Sequence, residues 1–329
     1  DRDRAIEIVG KPFVEIYRDG VVDLYLDIEY PVLDLVGNML DTPVAMLAQA
    51  RSDNSSGADA KSNAVPCYDT SLYFDDIHIS DTSEASELIA KEAHEGLDRG
   101  HRNFKIKVGR GAMHMPLMDG TQRDIAVINA VHATVFAKAG SDAKIMIDAN
   151  NGYNLNLAKM VLEETADAKL YWIEEAFHED PNLYDDLKNW MVQRSINTFI
   201  ADGEGSASPR ILEYARNGLI DILQFDIYKP GFTFWTKTGP TIDDWGVRSA
   251  PHHFGNYFGN FAAAHLASYI PNFEQVEWDE AIINGLDGRA YSIQDGRVTV
   301  PDLPGFGIEL DEKAYTRAVK ERGYEVSGP

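Results

Sequence analysis

One repeating theme constrains this chain more than any other feature. From about residue 65 onward, a short apolar segment is followed by a polar loop and then by an amphipathic stretch. The apolar segments are Cys67 to Phe74, Phe104 to Val108, Lys144 to Ile147, Tyr171 to Ile173, Thr198 to Ile200, Ile222 to Phe225, Val247 to Ala250 and Gln275 to Val276. Between them lie stretches with apolar residues at three- and four-residue spacing, among them Ala85 to Leu97, Asp124 to Ala137, Leu155 to Thr165, Leu183 to Gln193, Pro209 to Asn217 and Gly259 to Tyr269. Short apolar runs mark strands buried on both faces, and the 3.6-residue period marks helices with one face covered. Eight strands alternating with helices at intervals of about 25 to 35 residues predict an α/β fold of the TIM type, a (β/α) barrel. An open doubly wound sheet is the alternative. It would bring a glycine-rich phosphate loop after an early strand, and neither G-x-G-x-x-G nor G-x-x-x-x-G-K-[ST] occurs.

At 329 residues the chain exceeds what one ordinary core usually organises, so either a large barrel or a barrel plus a smaller partner is expected. Residues 1–50 combine an alternating run, Val21 to Leu26, with a helical pattern from Ile28 to Leu47, which reads as a partial α+β N-terminal capping domain. Ala50 to Ala64, rich in Ser, Asn, Asp, Gly and Ala, reads as an exposed linker. The expected division is therefore 1–64 for cap and linker, 65–311 for the barrel, and 312–329 for a C-terminal segment returning to the cap. The opening Asp1-Arg2-Asp3-Arg4 is neither a signal peptide nor a start methionine, so the natural N-terminus is expected to lie outside this sequence.

Charge removes two classes of partner. A formal charge of -23 repels phosphate backbones and anionic lipid, and a nucleic-acid binder needs clustered Lys and Arg to displace counterions. No apolar run approaches the roughly 20 residues that cross a bilayer. Neither nucleic acid nor membrane is an expected partner. The single cysteine, Cys67, excludes an intrachain disulfide framework and fits a reducing cytoplasm.

In a barrel the side chains that do chemistry sit just past the carboxyl ends of the strands. Those positions are highly polar here: Lys105 and Lys107, Asp148 and Asn150, Glu174 and Glu175, Asp202 and Glu204, Asp226, His252 and His253, and Glu277. Carboxylates from three consecutive strand ends, with no Cys and no obligatory His, make a hard-oxygen site that suits Mg²⁺ better than Zn²⁺. Asp148 and Glu174 supply two of them, and Asp202 competes with Glu204 for the third because the two share parity. Glu175 points to the opposite side from Glu174 by period two and is expected to be structural. Lys105 and Lys107, two apart, share the barrel-interior face, where each should lower the other's proton affinity and move one toward service as a base. Asp226 and His252 follow adjacent strands, and an Asp that fixes a His tautomer makes a tuned acid or base.

The order Lys-x-Lys, Asp-x-Asn, Glu-Glu, Gly-Glu, Gln-x-Asp and Pro-His, closing with Pro304-Gly305-Phe306-Gly307-Ile308-Glu309, resembles the mandelate racemase subgroup of the enolase superfamily over residues 65 to 311. The resemblance implies Mg²⁺ on Asp148, Glu174 and Glu204, with Asn150 beside it. It implies Lys107 as base on one face of the substrate, assisted by Lys105, and the His252–Asp226 pair on the other. Glu277 matches an acid that hydrogen-bonds the substrate carboxylate in some members, and the doubled His252-His253 leaves His253 as a second substrate-binding candidate. The expected reaction is removal of the proton next to a carboxylate, leading to dehydration of an acid sugar to a 2-keto-3-deoxy acid. Racemisation or epimerisation is the alternative, and a non-catalytic sugar-acid binding protein is the alternative from another class. The stretch His252 to Phe261, with Asn256, Tyr257 and Asn260, would suit a polyhydroxylated small-molecule carboxylate. A homo-oligomer is expected.

Overall fold

In strand β2 (Phe104–Lys107; β1 is Ala64–Leu72), Phe104 and Ile106 enter the main apolar core. Lys105 and Lys107 occupy the opposite face, as the two-residue period of a strand requires. The computed structural model describes residues 28–47, 63–254, 258–282 and 285–323. The Val21–Leu26 run, most of the linker, Asn256 and Tyr257 lie outside the described residues.

The repeat forms as the sequence pattern predicts. Strands β3 (Ile145–Asp148), β4 (Trp172–Glu174), β5 (Phe199–Asp202), β6 (Ile222–Leu223) and β7 (Arg248–Ser249) continue β1 and β2 in parallel, each beside its predecessor. Strand β8 (Val276–Trp278) returns to pair in parallel with β1. Between β7 and the approach to β8 the contact is an isolated parallel bridge, Ser249 with Phe273, flanked by a Glu274 N–H to Ser249 oxygen bond of 2.8 Å.

The helices follow in turn: α1 (Glu29–Met39) before the repeat, then α2 (Thr82–Asp98), α3 (Arg110–Met113), α4 (Leu117–Ala139), α5 (Leu155–Glu164), α6 (Pro181–Arg194), α7 (Ile211–Arg216), α8 (Phe232–Asp243) and α9 (Phe258–Leu266). Several start where a side chain takes an orphan N–H. Asp81 accepts from Glu84, Asn154 from Leu157, and Asp180 from Asn182 and Leu183 with Pro181 in the first turn.

Inside the ring, Tyr68, Met146, Trp172, Ala201, Ile222 and Ala250 form an apolar floor. Two residues further along the chain from each stand Thr70, Asp148 and Glu174, still on their strands, and Gly203, Gln224 and His252, just past theirs. A polar layer thus lies directly on an apolar one.

Helix α1 docks on the side of this ring through polar contacts as well as apolar ones. The Glu29 carboxylate accepts the Phe232 and Thr233 N–H groups at 2.8 and 2.6 Å, capping α8. Asp34 Oδ1 accepts the Phe306 N–H at 2.8 Å, and Gly37 lies so close to Gly305 that a Cβ there would come within 2.7 Å of its backbone. The Pro304-to-Glu309 motif therefore serves as the seat of α1, with Phe306 fully buried.

The chain closes with small antiparallel elements: β9 (Leu286–Asp287), β10 (Ser292–Gln294), β11 (Arg297–Thr299) and β12 (Glu309–Leu310), then α10 (Glu312–Arg322). β10 and β11 form a hairpin at Asp295-Gly296, both at positive φ, and β11 pairs with the start of β1.

Candidate active site

The polar layer is one connected set of charges. Lys105 Nζ lies 2.8 Å from Glu174 Oε1 and 2.8 Å from Glu277 Oε1, and it is 3% exposed. Lys107 Nζ pairs with Asp148 Oδ2 and donates to Asn150 Oδ1 at 2.6 Å. Glu174 Oε2 also accepts from Trp172 Nε1 at 3.0 Å and Gln224 Nε2 at 2.8 Å. Asn150, at a positive φ, turns its amide to Glu175 Oε2 and Glu204 Oε1 at 2.9 and 3.1 Å. At the far side, His252 Nε2 stands 3.3 Å from Glu204 Oε2, and its Nδ1 is 2.5 Å from Asp226 Oδ1.

Asp148, Glu174 and Glu204 each offer an oxygen within 4.8 Å of the others. Burial, then Asp148 and Glu174, push the Glu204 pKa up to about 11, and its Oε2 is buried without a hydrogen-bond partner. Glu174 is also raised, because burial together with Asp148 and Glu277 outweighs Lys105. Asp148 is lowered: burial works against its charge, but Lys107 and Lys105 prevail. Three converging carboxylates form an all-oxygen donor set that fits a divalent cation such as Mg²⁺. A second cluster, Asp69, His101 and Glu280, already has Arg99 between its carboxylates, 2.9 Å from Asp69 and 3.4 Å from Glu280.

Asp202 and Glu204 separate. In β5 the inward residue is Ala201, so Asp202 faces outward, where its Oδ2 accepts from Tyr184 OH of α6 at 2.6 Å. Burial pushes its pKa up to about 8. Shared parity does not carry to Glu204, because the strand ends at Asp202 and Gly203 adopts φ +124. That turn aims Glu204 inward.

Other expectations need correction. For Lys107, burial and Lys105 both lower the pKa, the latter as the lysine pair predicts, while the paired Asp148 carboxylate outweighs them and leaves it raised. Lys105 is likewise raised, since Glu174 and Glu277 overcome its burial. His253 does not fit a substrate contact. The residue is 1% exposed, with its ring Nε2 on the Glu277 carbonyl at 2.6 Å. Burial lowers its pKa. Glu277 has both oxygens occupied, Oε1 by Thr70 and Lys105 and Oε2 by the His253 N–H. It is lowered, because Lys105 with His252 and His253 outweighs burial. Glu175 holds both Asn150 and Asn151, the latter at 3.0 Å, a structural role as expected for it. Its φ of +41 curls the chain back at the end of β4, a turn that strand parity does not reveal.

The parallel strands thus bring together a carboxylate triad at the ends of β3 and β4 and just past β5, a lysine, and a His–Asp pair. The chain belongs to the Enolase C-terminal domain-like family, which matches residues 88–314. It is similar to galacturonate dehydratase from Geobacillus sp., solved with D-galacturonate and 5-keto-4-deoxy-D-galacturonate, at 46% identity and a TM-score of 0.89, covering 98% of this chain and 83% of that one. A mandelate racemase/muconate lactonizing protein from Geobacillus sp. Y412MC10, complexed with magnesium and tartrate, is 48% identical with a TM-score of 0.86, covering 92% and 76%. D-galactarolactone cycloisomerase of Agrobacterium fabrum is 28% identical over 249 residues, covering 71% of this chain and 60% of that relative, so this chain spans only part of its length.

Proposed function

We propose that this chain is a Mg²⁺-dependent hydro-lyase that dehydrates an acid sugar to a keto-deoxy acid, with a hexuronate such as galacturonate as its substrate. One observation carries the reading: the Asp148, Glu174 and Glu204 carboxylates touch Lys107 at one end and the Asp226-bound His252 at the other. The likeness to galacturonate dehydratase supports the substrate class.

Asp148, Glu174 and Glu204 would hold the metal. A bound Mg²⁺ would supply the positive charge that neutralises the substrate carboxylate. Lys107 takes the proton from the carbon beside the carboxylate. Lys105, fixed between Glu174 and Glu277, stays charged and adds its field to that step. His252, oriented by Asp226 through Nδ1, gives a proton from Nε2 to the neighbouring hydroxyl, which leaves as water. The resulting enol becomes the keto acid. Asn150 holds Lys107 and Glu204 in register, and Glu277 acts as the anchor of Lys105 in place of the substrate contact expected for it.

Racemisation is the second reading, favoured by the presence of an acid–base group at each end of the triad: a proton taken by Lys107 and returned by His252 inverts the carbon. The corresponding division of the chain is cap and linker to residue 64, barrel to 311, and a C-terminal segment beyond. We also take it to be a cytoplasmic homo-oligomer without nucleic-acid or membrane partners. The charge of -23 supports the absence of polyanionic partners, and no helix among the described residues is long and apolar enough to cross a membrane.

The test is a screen of hexuronates and aldonates with Mg²⁺ for keto-acid formation, with and without EDTA. Keto acid that appears with Mg²⁺ and vanishes with EDTA is expected. Inverted substrate without keto acid would favour the racemase, and saturable binding with no conversion would favour the non-catalytic binding protein.

A further inference from the structure

Two aromatic rings at the barrel mouth have no part in the acid–base assignment. Tyr73 directly follows β1, and Phe254 follows His252 and His253 after β7, so the two come from either side of β8. Their rings stack, with centroids 5.6 Å apart and planes 24° from parallel. The Tyr73 ring also lies 5.2 Å from Lys107 Nζ, while Phe254 is 63% exposed.

An exposed phenylalanine alone is ordinary. Its placement here is not, because it stands two residues from His252 and its stacking partner faces Lys107. The stacked pair joins the loops of the two proposed acid–base groups, with Tyr73 toward Lys107 and Phe254 at the solvent side. A carbon giving its proton to Lys107 must come within about 3 to 3.5 Å of Nζ. With the Tyr73 ring 5.2 Å from that atom, a substrate only a few carbons longer reaches the aromatic surface.

We infer that Tyr73 and Phe254 form a specificity-determining wall beside the reacting carbon, which takes the C–H face of a six-carbon sugar acid whose carboxylate lies toward Asp148, Glu174 and Glu204. A sugar acid is polar at its hydroxyl edges and apolar across its C–H faces, and an aromatic face, carrying negative quadrupole charge, attracts polarised C–H groups. A four-carbon acid keeps the carboxylate and reacting carbon but ends short of the wall. The inference rests on the acid-sugar reading and deepens it by naming what measures substrate length.

The Mg²⁺-loaded wild type, Phe254→Ala and Phe254→Tyr are to be titrated calorimetrically with D-galacturonate and with tartrate, alongside thermal melts. Because Phe254 is largely exposed, the melts should be unchanged. Phe254→Ala should weaken galacturonate binding about tenfold and tartrate binding less than about twofold, and Phe254→Tyr should restore the wild-type ratio. Equal weakening of both acids, or unchanged galacturonate affinity, overturns the wall. Wild type that binds tartrate but no six-carbon acid overturns the wall together with the acid-sugar reading, whereas galacturonate bound equally by wild type and Phe254→Ala overturns the wall alone.

Discussion

His252 and Asp226 are joined twice: their backbones form an isolated parallel bridge between the ends of β7 and β6, and Nδ1 of the ring meets Oδ1 of the carboxylate at 2.5 Å. The backbone link fixes where the ring starts and the side-chain link fixes which nitrogen faces the site. Asp226→Asn keeps the bridge but changes the partner of Nδ1. We expect kcat for keto-acid formation to fall by roughly 10² to 10⁴ with Mg²⁺ affinity unchanged. An effect of less than threefold on kcat would show that Asp226 does not tune the ring.

Removing the ring separates the two halves of the proposed reaction. With His252→Asn, Lys107 and the carboxylate triad remain, so in D₂O the substrate should still exchange the proton beside its carboxylate while keto acid no longer accumulates. Mass spectrometry of recovered substrate reads both events. Loss of exchange together with loss of product would make His252 the base, and would reverse the roles assigned here.

Glu204 and Asp202 have nearly the same sequence context and opposite surroundings, one beside Asp148 and Glu174, the other on Tyr184. Glu204→Gln should weaken Mg²⁺ binding at least tenfold by calorimetry, since one of three anionic donors is lost. Asp202→Asn should leave Mg²⁺ affinity within about twofold and act on stability through the Tyr184 contact. The opposite order of the two affinities would move the third ligand to Asp202.

The contrast marks where sequence reading stops. Strand ends are legible because the two-residue period places Lys105, Asp148 and Glu174 inward with the apolar floor. The rule holds only while the strand lasts. At Gly203, Glu175 and Asn150 the backbone leaves extended geometry, with φ of +124, +41 and +40, and side-chain direction then depends on tertiary contacts. The charge balance at Lys107 is only half legible for a related reason: the sequence shows the neighbouring lysine, which lowers its pKa, but not the Asp148 carboxylate, which raises it. Helix α8 is the least legible helix, because Gly239 and Pro240 lie inside it while Phe232, Trp235, Gly239 and Ile242 make its buried stripe. The β10–β11 hairpin carried a readable signal, the Asp295-Gly296 pair between alternating strands.

Behind the turn that follows Lys107 lies a buried polar network that should dominate local stability. Arg110, fully buried, donates to Asp124 Oδ1 at 2.8 Å, to Asp76, and to the Lys107 carbonyl at 3.1 Å. Asp124 Oδ2 accepts the Gly109 N–H at 2.8 Å and the Tyr153 hydroxyl at 2.9 Å. Asp124→Ala strips these donors of their acceptor and leaves Arg110 only Asp76 as a counter-charge. We expect a loss of about 3 kcal/mol by urea denaturation. A loss below about 1 kcal/mol would show that water or Asp76 replaces the missing carboxylate.

Glu92 on α2 offers a test far from the chemistry. Its Oε2 is buried without a hydrogen-bond partner. Burial, with Asp75, Glu95 and Asp76 nearby, pushes its pKa from 4.5 up to about 7. A carboxyl with a raised pKa holds its proton more tightly in the folded chain than in the unfolded one. Its contribution is therefore most favourable below about pH 4.5 and declines as pH rises toward 7, where the unfolded state has already lost the proton that the native state still binds. Glu92→Gln keeps the shape and removes the charge. Allowing for partial solvent screening, it should stabilise the protein by about 1 kcal/mol at pH 8 and by close to nothing at pH 4. Thermal melts of wild type and variant across that range measure the difference directly, and a gain independent of pH would assign the effect to packing of the amide, not to an ionised carboxylate held among other acids.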